Sequence, residues 1–234
     1  MRAVVPGLPW RAYAHSGDVA LLERLPGGAA LARYLARGGG DIRFASHNLR
    51  DRFRRLAPGA GEFTDAVDAI GSGPPGPAPE REQARRALDM QRRTLLAVGR
   101  LVPIKGFDVL VRAAALAAPE NAPTTVVILG DGPKRARLQR LAQRLKVDLR
   151  LPGFVPRAEV LRWMAGADLY VQPSRPLRSG RTEGLPVATR EAMSLGIPVV
   201  ASATGGLAEL PQRAPRLRLV PPDDHAALAA CLRA

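Results

Sequence analysis

The apolar positions of this chain follow two alternating periods. Short runs rich in Val, Ile, Leu and Ala predict strands at Arg11–His15, Ile42–Ser46, Ala66–Ile70, Thr94–Val98, Thr125–Leu129, Leu149–Leu151, Asp168–Gln172, Pro198–Ala201 and Leu217–Val220. Between several of them the apolar positions recur at i, i+3, i+4 and i+7, as in Phe107, Leu110, Val111, Ala114 and in Leu138, Leu141, Ala142, Leu145. Strand–helix alternation with near-continuous apolar strands predicts an α/β fold whose parallel sheets are covered on both faces. One segment breaks the rhythm. "GSGPPGPAPE", residues 71–80, is Gly and Pro at seven of ten positions and predicts a linker. The expected organisation is a small α/β unit over 1–75, a linker at 76–80 and a full α/β domain over 81–234. The first piece is short for an open α/β domain, which needs on the order of 100 residues.

Composition narrows the function classes. Hydrophobic residues make up 46% of the 234, enough for a core and against wholesale disorder. There are 35 Lys+Arg against 21 Asp+Glu, and only Lys105, Lys134 and Lys146 are lysines. Such an arginine bias fits either a compositional habit or an anion-facing surface. The ten aromatic residues do not interleave with the arginine runs, which argues against a nucleic-acid stacking platform. Cys231 is the sole cysteine, so no disulfide framework or cysteine metal site is expected. His47 and His225 lack metal-ligand spacing, and no metal is expected. No apolar run reaches the roughly 18 residues of a membrane span, and the N-terminus has no signal-like apolar stretch. The cytoplasm is the expected compartment.

The charged residues of interest sit where strands end. In "LLAVGRLVPIKGFDVL", Gly99 closes a strand, Arg100 and Lys105 occupy the turn and Gly106 opens a helix. Parallel sheets bind ligands beyond the carboxyl ends of their strands, and two cations beside a helix start suit a phosphate. "ILGDGPKRARL" repeats the geometry, with Gly130 and Gly132 permitting close backbone approach. In "GRTEGLPVATREAM", Pro186 predicts the helix start, so Glu183 and Gly184 fall in the preceding loop. Glu191 falls inside the helix, on a face shared with Val187 and Leu195. A half-buried carboxylate needs donors; protein groups and paired ligand hydroxyls both qualify. The amides of Gly184 and Leu185 would face a diphosphate at the helix start.

"GRLVPIKG", "ILGDGP", "ADLYVQPS", "EGLPVATREAMSLGIPVVAS" and "GGLAELP" follow the order and spacing of the family-4 retaining glycosyltransferases of GT-B fold. Glu183-x7-Glu191 resembles that family's E-x7-E motif and Arg100-x4-Lys105 its Arg/Lys pair. The resemblance covers residues 94–224 well. Upstream, "AYAHSGDVALL" is similar to the family's His region. It implies a nearly complete C-terminal Rossmann-like domain and a partial N-terminal one. It implies that Arg100 and Lys105 hold the donor diphosphate, Glu183 the transferred sugar and Glu191 the ribose. Gly184 and Leu185 would offer amides to phosphate, and His15 would lie near the acceptor and the anomeric carbon. The implied partners are a nucleotide-sugar donor and a glycan or lipid-linked acceptor, with no cofactor. The implied chemistry is metal-independent retaining transfer; consistently, no Asp-x-Asp occurs in the chain.

Two features depart from the family pattern. Family members carry most of an α/β domain, with a glycine-rich turn, before the His region, whereas Met1 stands 14 residues before His15. The C-terminus also looks clipped. A truncated enzyme is therefore expected, with a remnant that at most binds nucleotide-sugar as the alternative. "HNLRDRFRRLAPG" predicts an amphipathic helix with Leu49, Phe53 and Leu56 on one face and Arg50, Arg52, Arg54 and Arg55 elsewhere. A solvated basic face is the favoured reading; peripheral contact with the inner membrane surface is the other.

Overall fold

The computed structural model describes residues 10–14, 16–38, 40–59, 65–67, 78–117, 124–209 and 216–233. The expected α/β architecture is present as two parallel sheets. The first contains β1 (Arg11–Ala14), α1 (Ser16–Leu22), α2 (Gly28–Arg37), β2 (Asp41–Phe44), α3 (His47–Leu56) and β3 (Asp65–Val67), with strand order β1-β2-β3. Arg11 pairs with Asp41 and Ile42 with Asp65 in register. Val19, Ala32, Ile42, Phe44, Leu49 and Phe53 form its core, where the Phe44 and Phe53 rings lie 5.4 Å apart. Ser46 caps α3 by accepting from the Leu49 amide at 3.3 Å.

α3 corrects one expectation. Arg52, grouped with the off-face arginines, is buried. Its guanidinium grips the Glu23 carboxylate beyond α1 with two nitrogens, one at 2.9 Å. A bidentate pair lets a buried arginine keep its charge satisfied, and it pins α3 to the end of α1.

The second sheet has six strands. α4 (Arg81–Ala87) leads into β4 (Arg93–Val98), α5 (Phe107–Ala117), β5 (Thr124–Leu129), α6 (Arg135–Leu145), β6 (Asp148–Gly153), α7 (Arg157–Gly166) and β7 (Leu169–Gln172). α8 (Val187–Ser194), β8 (Val199–Ser202), β9 (Leu217–Val220) and α9 (His225–Arg233) follow. The strand order is β6-β5-β4-β7-β8-β9, all parallel. Successive residues feed opposite cores, because strand side chains alternate between faces. Leu95, Ala97 and Val171 pack with α5, α6 and α9. Leu96, Tyr170 and Val199 pack with α7 and α8. That double coverage is why these strands read as unbroken apolar runs rather than alternating ones. α4 is tied to the sheet by Asp168, whose carboxylate accepts from Arg81 at 2.6 Å, Arg85 at 3.1 Å and the Thr94 amide at 2.8 Å.

All nine predicted strands are present within one or two residues at each described end. Of the predicted strand 66–70, only 66 and 67 lie among the described residues. His15 and most of the stretch 71–80 lie outside them.

Candidate functional site

The sheet order sets the location. From β4 the chain winds outward through β5 and β6, then returns to the other side of β4 for β7, β8 and β9. The reversal lies between β4 and β7, and loops leaving two such strands diverge to open a crevice. The loop after β4 carries Arg100 and Lys105. The loop after β7 carries Ser174, Glu183, Gly184 and Leu185.

Lys105 ends a 3-10 turn, Pro103–Lys105, that Gly106 terminates in the left-handed region at φ 63. The lysine side chain lies across Gly99, where a Cβ would come within 2.8 Å of its Cε. It crosses the crevice to donate to Glu183 Oε2 at 2.9 Å. Both side chains are largely buried, at 14% and 15% exposure. The same Oε2 accepts from Ser174 Oγ at 2.9 Å and Gln172 Nε2 at 3.3 Å. Gln172 in turn donates to Ser174 at 2.8 Å and accepts from the Tyr170 hydroxyl at 2.9 Å. Gln172, Ser174 and Tyr170 are fully buried. Burial pushes the Tyr170 phenol far above its usual ionisation range, so it remains a neutral donor. A chain of buried hydrogen bonds therefore fixes the Glu183 carboxylate at the crevice floor.

Glu191 lies inside α8 and is buried, as half expected. Its cation is Arg157, at the start of α7, 2.8 Å from Oε1. Arg157 is itself 60% exposed, whereas the Glu191 side chain is 6% exposed. Two local details differ from expectation. α8 starts at Val187 with Pro186 in the cap position, where its ψ of 135° is extended rather than helical. Val187 is 49% exposed and does not share a buried face with Glu191. The Gly184 and Leu185 amides donate to no acceptor among the described residues. Arg100 is exposed and likewise unpaired among them. Beside it a cleft of about 330 Å³ opens between Val98, Gly99, Leu129, Gly130, Phe154, Val155 and Val160. Phe154 is 87% exposed there.

Six of the seven expected residues thus belong to elements that meet at or beside one crevice; His15 is outside the described residues. Sequence reasoning missed Gln172, Ser174, Arg157 and Phe154. "ADLYVQPS" contained the first two, but nothing in a strand's sequence says that its last residues will brace a carboxylate nine or eleven positions on. Among the described residues, no three His, Cys, Asp or Glu side chains gather as a metal site, and no helix is long and apolar enough to cross a membrane.

Residues 92–234 match the model of the family described as glycosyl transferases group 1. The chain belongs to that family. A putative colanic acid biosynthesis glycosyltransferase, WcaL of Salmonella typhimurium, is 34% identical over 163 residues, 64% of this chain and 40% of its own length. A GDP-mannose-dependent phosphatidylinositol monomannoside mannosyltransferase of Mycolicibacterium smegmatis is 33% identical over 174 residues, 72% of this chain and 45% of its own. The chain thus spans under half the length of both relatives. Anabaena HepE, solved in complex with UDP, superposes with a TM-score of 0.78 at 22% identity over 96% of this chain and 61% of its own. That likeness carries the GT-B fold of the group 1 glycosyltransferases.

Proposed function

We propose that this chain binds a nucleotide-sugar at the β4/β7 crevice and serves retaining, metal-independent transfer of the sugar to a glycan or lipid-linked acceptor. The observation that carries the reading is the Lys105–Glu183 pair, contributed by the two loops that diverge at the switch point. A departing diphosphate needs preorganised positive charge in a site that excludes water. Lys105 and Arg100 supply cations, and the Gly184 and Leu185 amides supply dipoles at the α8 entrance. Glu183 accepts from sugar hydroxyls and Glu191 from the ribose diol. The cleft beside Arg100, with Phe154 at its rim, suits the flat face of a base. The acceptor-side role falls to His15 in this reading.

The mycobacterial relative is named for GDP-mannose and HepE was solved with UDP, so GDP- and UDP-sugars are the first donors to try. Calorimetry tests the binding half. Lys105→Ala is expected to weaken GDP or UDP binding by roughly tenfold to a hundredfold, the value of one or two charge-assisted hydrogen bonds. Glu191→Gln is expected to weaken ribonucleotides about tenfold while leaving 2′,3′-dideoxy analogues unchanged. Absence of binding of UDP, GDP and ADP to the folded protein would defeat the reading. Transfer from a radiolabelled donor then separates an enzyme from a protein that only binds the donor.

A further inference from the structure

A second carboxylate of the same region, Glu209, has no part in the crevice just described. It ends the 3-10 turn Gly205–Glu209 after β8. Its Oε2 accepts from the His47 amide at 2.7 Å and its Oε1 from the Asn48 amide at 2.7 Å. Those amides open α3, which belongs to the other sheet. Helix N-termini attract anions, yet the first turn of α3 has no acidic residue of its own. The anion comes instead from a residue 162 positions away, across the boundary between the two units.

The turn that carries Glu209 is also locked to the Glu183 loop. The Gly206 amide donates to the Glu183 carbonyl at 3.2 Å. Gly205 sits at φ +54, where a Cβ would come 1.9 Å from that same carbonyl oxygen. On the opposite side, a Cβ at Gly184 would lie 3.6 Å from the Cβ of Ala45, just before α3. The Glu183–Leu185 loop is therefore held between the Gly205–Glu209 turn and the residues that lead into α3. The Glu209 carboxylate joins that turn to α3, and Arg24 beyond α1 donates to the Ser179 carbonyl of the same long loop at 2.9 Å.

We propose that Glu209 is a positioning residue: its carboxylate clasps the α3 N-terminus and so sets the Glu183 loop against the first unit. The assignment of the loop to donor sugar rests on the reading above; the clasp itself does not. Its strength comes from two charge-assisted hydrogen bonds at a helix start. Glu209→Gln retains an acceptor oxygen for one amide and removes the charge.

Single-molecule energy transfer tests the clasp. In a Cys231→Ser background, dyes are placed by Leu31→Cys on α2 and Arg140→Cys on α6, both exposed. With Glu209 present, one narrow distribution is expected. Glu209→Ala is expected to raise the population at longer distance by about tenfold or more, and Glu209→Gln by less, as charge-assisted bonds are lost in part or in full. Hydrogen exchange at the His47 and Asn48 amides is expected to speed up in the same order. Faster exchange with an unchanged distance distribution would reduce Glu209 to a local helix cap and overturn the proposal. Unchanged exchange and distance would overturn it too. If Glu209→Ala fails to fold, as judged by Trp10 and Trp163 fluorescence, the Glu209→Gln distribution decides by the same criteria. Calorimetry with UDP, GDP and ADP on the Cys231→Ser protein that retains Glu209 reports separately: failure to bind any of the three defeats the donor assignment and leaves the distance result standing.

Discussion

The Lys105–Glu183 pair can be put on an energy scale by a double-mutant cycle. At 2.9 Å the gross attraction is about 6 kcal/mol in an effective dielectric of 20. Withdrawing both groups from water offsets most of it, but removing one partner leaves a buried charge alone, at about 3–5 kcal/mol. Exposures of 14% and 15% argue for the lower end. Lys105→Met is therefore expected to cost about 3 kcal/mol, because Glu183 keeps only Ser174 and Gln172 as donors. Glu183→Gln is expected to cost a similar amount, because the ammonium is then left without a counter-charge in the crevice. The double variant removes both charges and is expected to cost about 3–4 kcal/mol rather than 6, a coupling of about 2–3 kcal/mol.

Urea unfolding supplies the measurement. Trp163 is 6% exposed in the second core, so its fluorescence in a Trp10→Phe background follows the six-stranded unit. Costs that add to within about 0.5 kcal/mol would mean that the two side chains do not interact. Lys105 and Glu183 would then carry no charge coupling, whatever the distance between the atoms.

Other consequences are checked independently. The Arg52 guanidinium holds the Glu23 carboxyl below its usual value; the pair's stabilisation is present above the unfolded-state value, about 4.3, and is lost as pH falls through the folded one. Acid titration of Trp10 fluorescence should show that loss, and Glu23→Gln should flatten it; an unchanged slope refutes the pairing. Gly205→Ala should destabilise by about 2 kcal/mol or more through left-handed strain plus collision with the Glu183 carbonyl. Gly180→Ala, at φ +75 with open space around it, should cost about 1 kcal/mol; equal thermal shifts for the two would refute the collision. Tyr170→Phe should leave the alkaline phenolate absorbance of the folded protein unchanged, since burial keeps that hydroxyl protonated; a smaller rise would place Tyr170 in contact with solvent.

What the sequence revealed follows the range of the forces involved. Strands covered on both faces announce themselves as apolar runs, so β4, β5 and β7 were legible to within a residue or so. Turn chemistry is equally local: Gly99, Gly106 and Gly130 take positive φ, and their loops fell where expected. The partners of the carboxylates were not legible. Gln172 and Ser174 look like ordinary strand-end residues until Glu183 folds back over them. Arg157 reads as one more arginine in an arginine-rich chain until α7 sets it over Glu191. Arg52 shows the same limit from the other side. Its position in a basic helix suggested solvent, and only a contact 29 positions away draws it inward.

Those partners also constrain what the crevice can accept. Each carboxylate of the Glu183-x7-Glu191 pair meets a cation of the protein itself, Lys105 for one and Arg157 for the other. On the proposed reading, an inorganic anion that drew Lys105 away would leave the Glu183 carboxylate facing negative charge. A plain sugar that engaged Glu183 would leave Lys105 without a counter-ion. Either exchange strands a largely buried charge, at a cost of a few kcal/mol. A ligand whose phosphate and hydroxyls are joined at the right spacing replaces both partners at once. Free sugar and free phosphate added together should therefore bind far more weakly than a sugar carrying its diphosphate, beyond the entropy of linking two pieces. Lys105→Met should narrow that gap, because with the ammonium gone a sugar no longer has an ion pair to break.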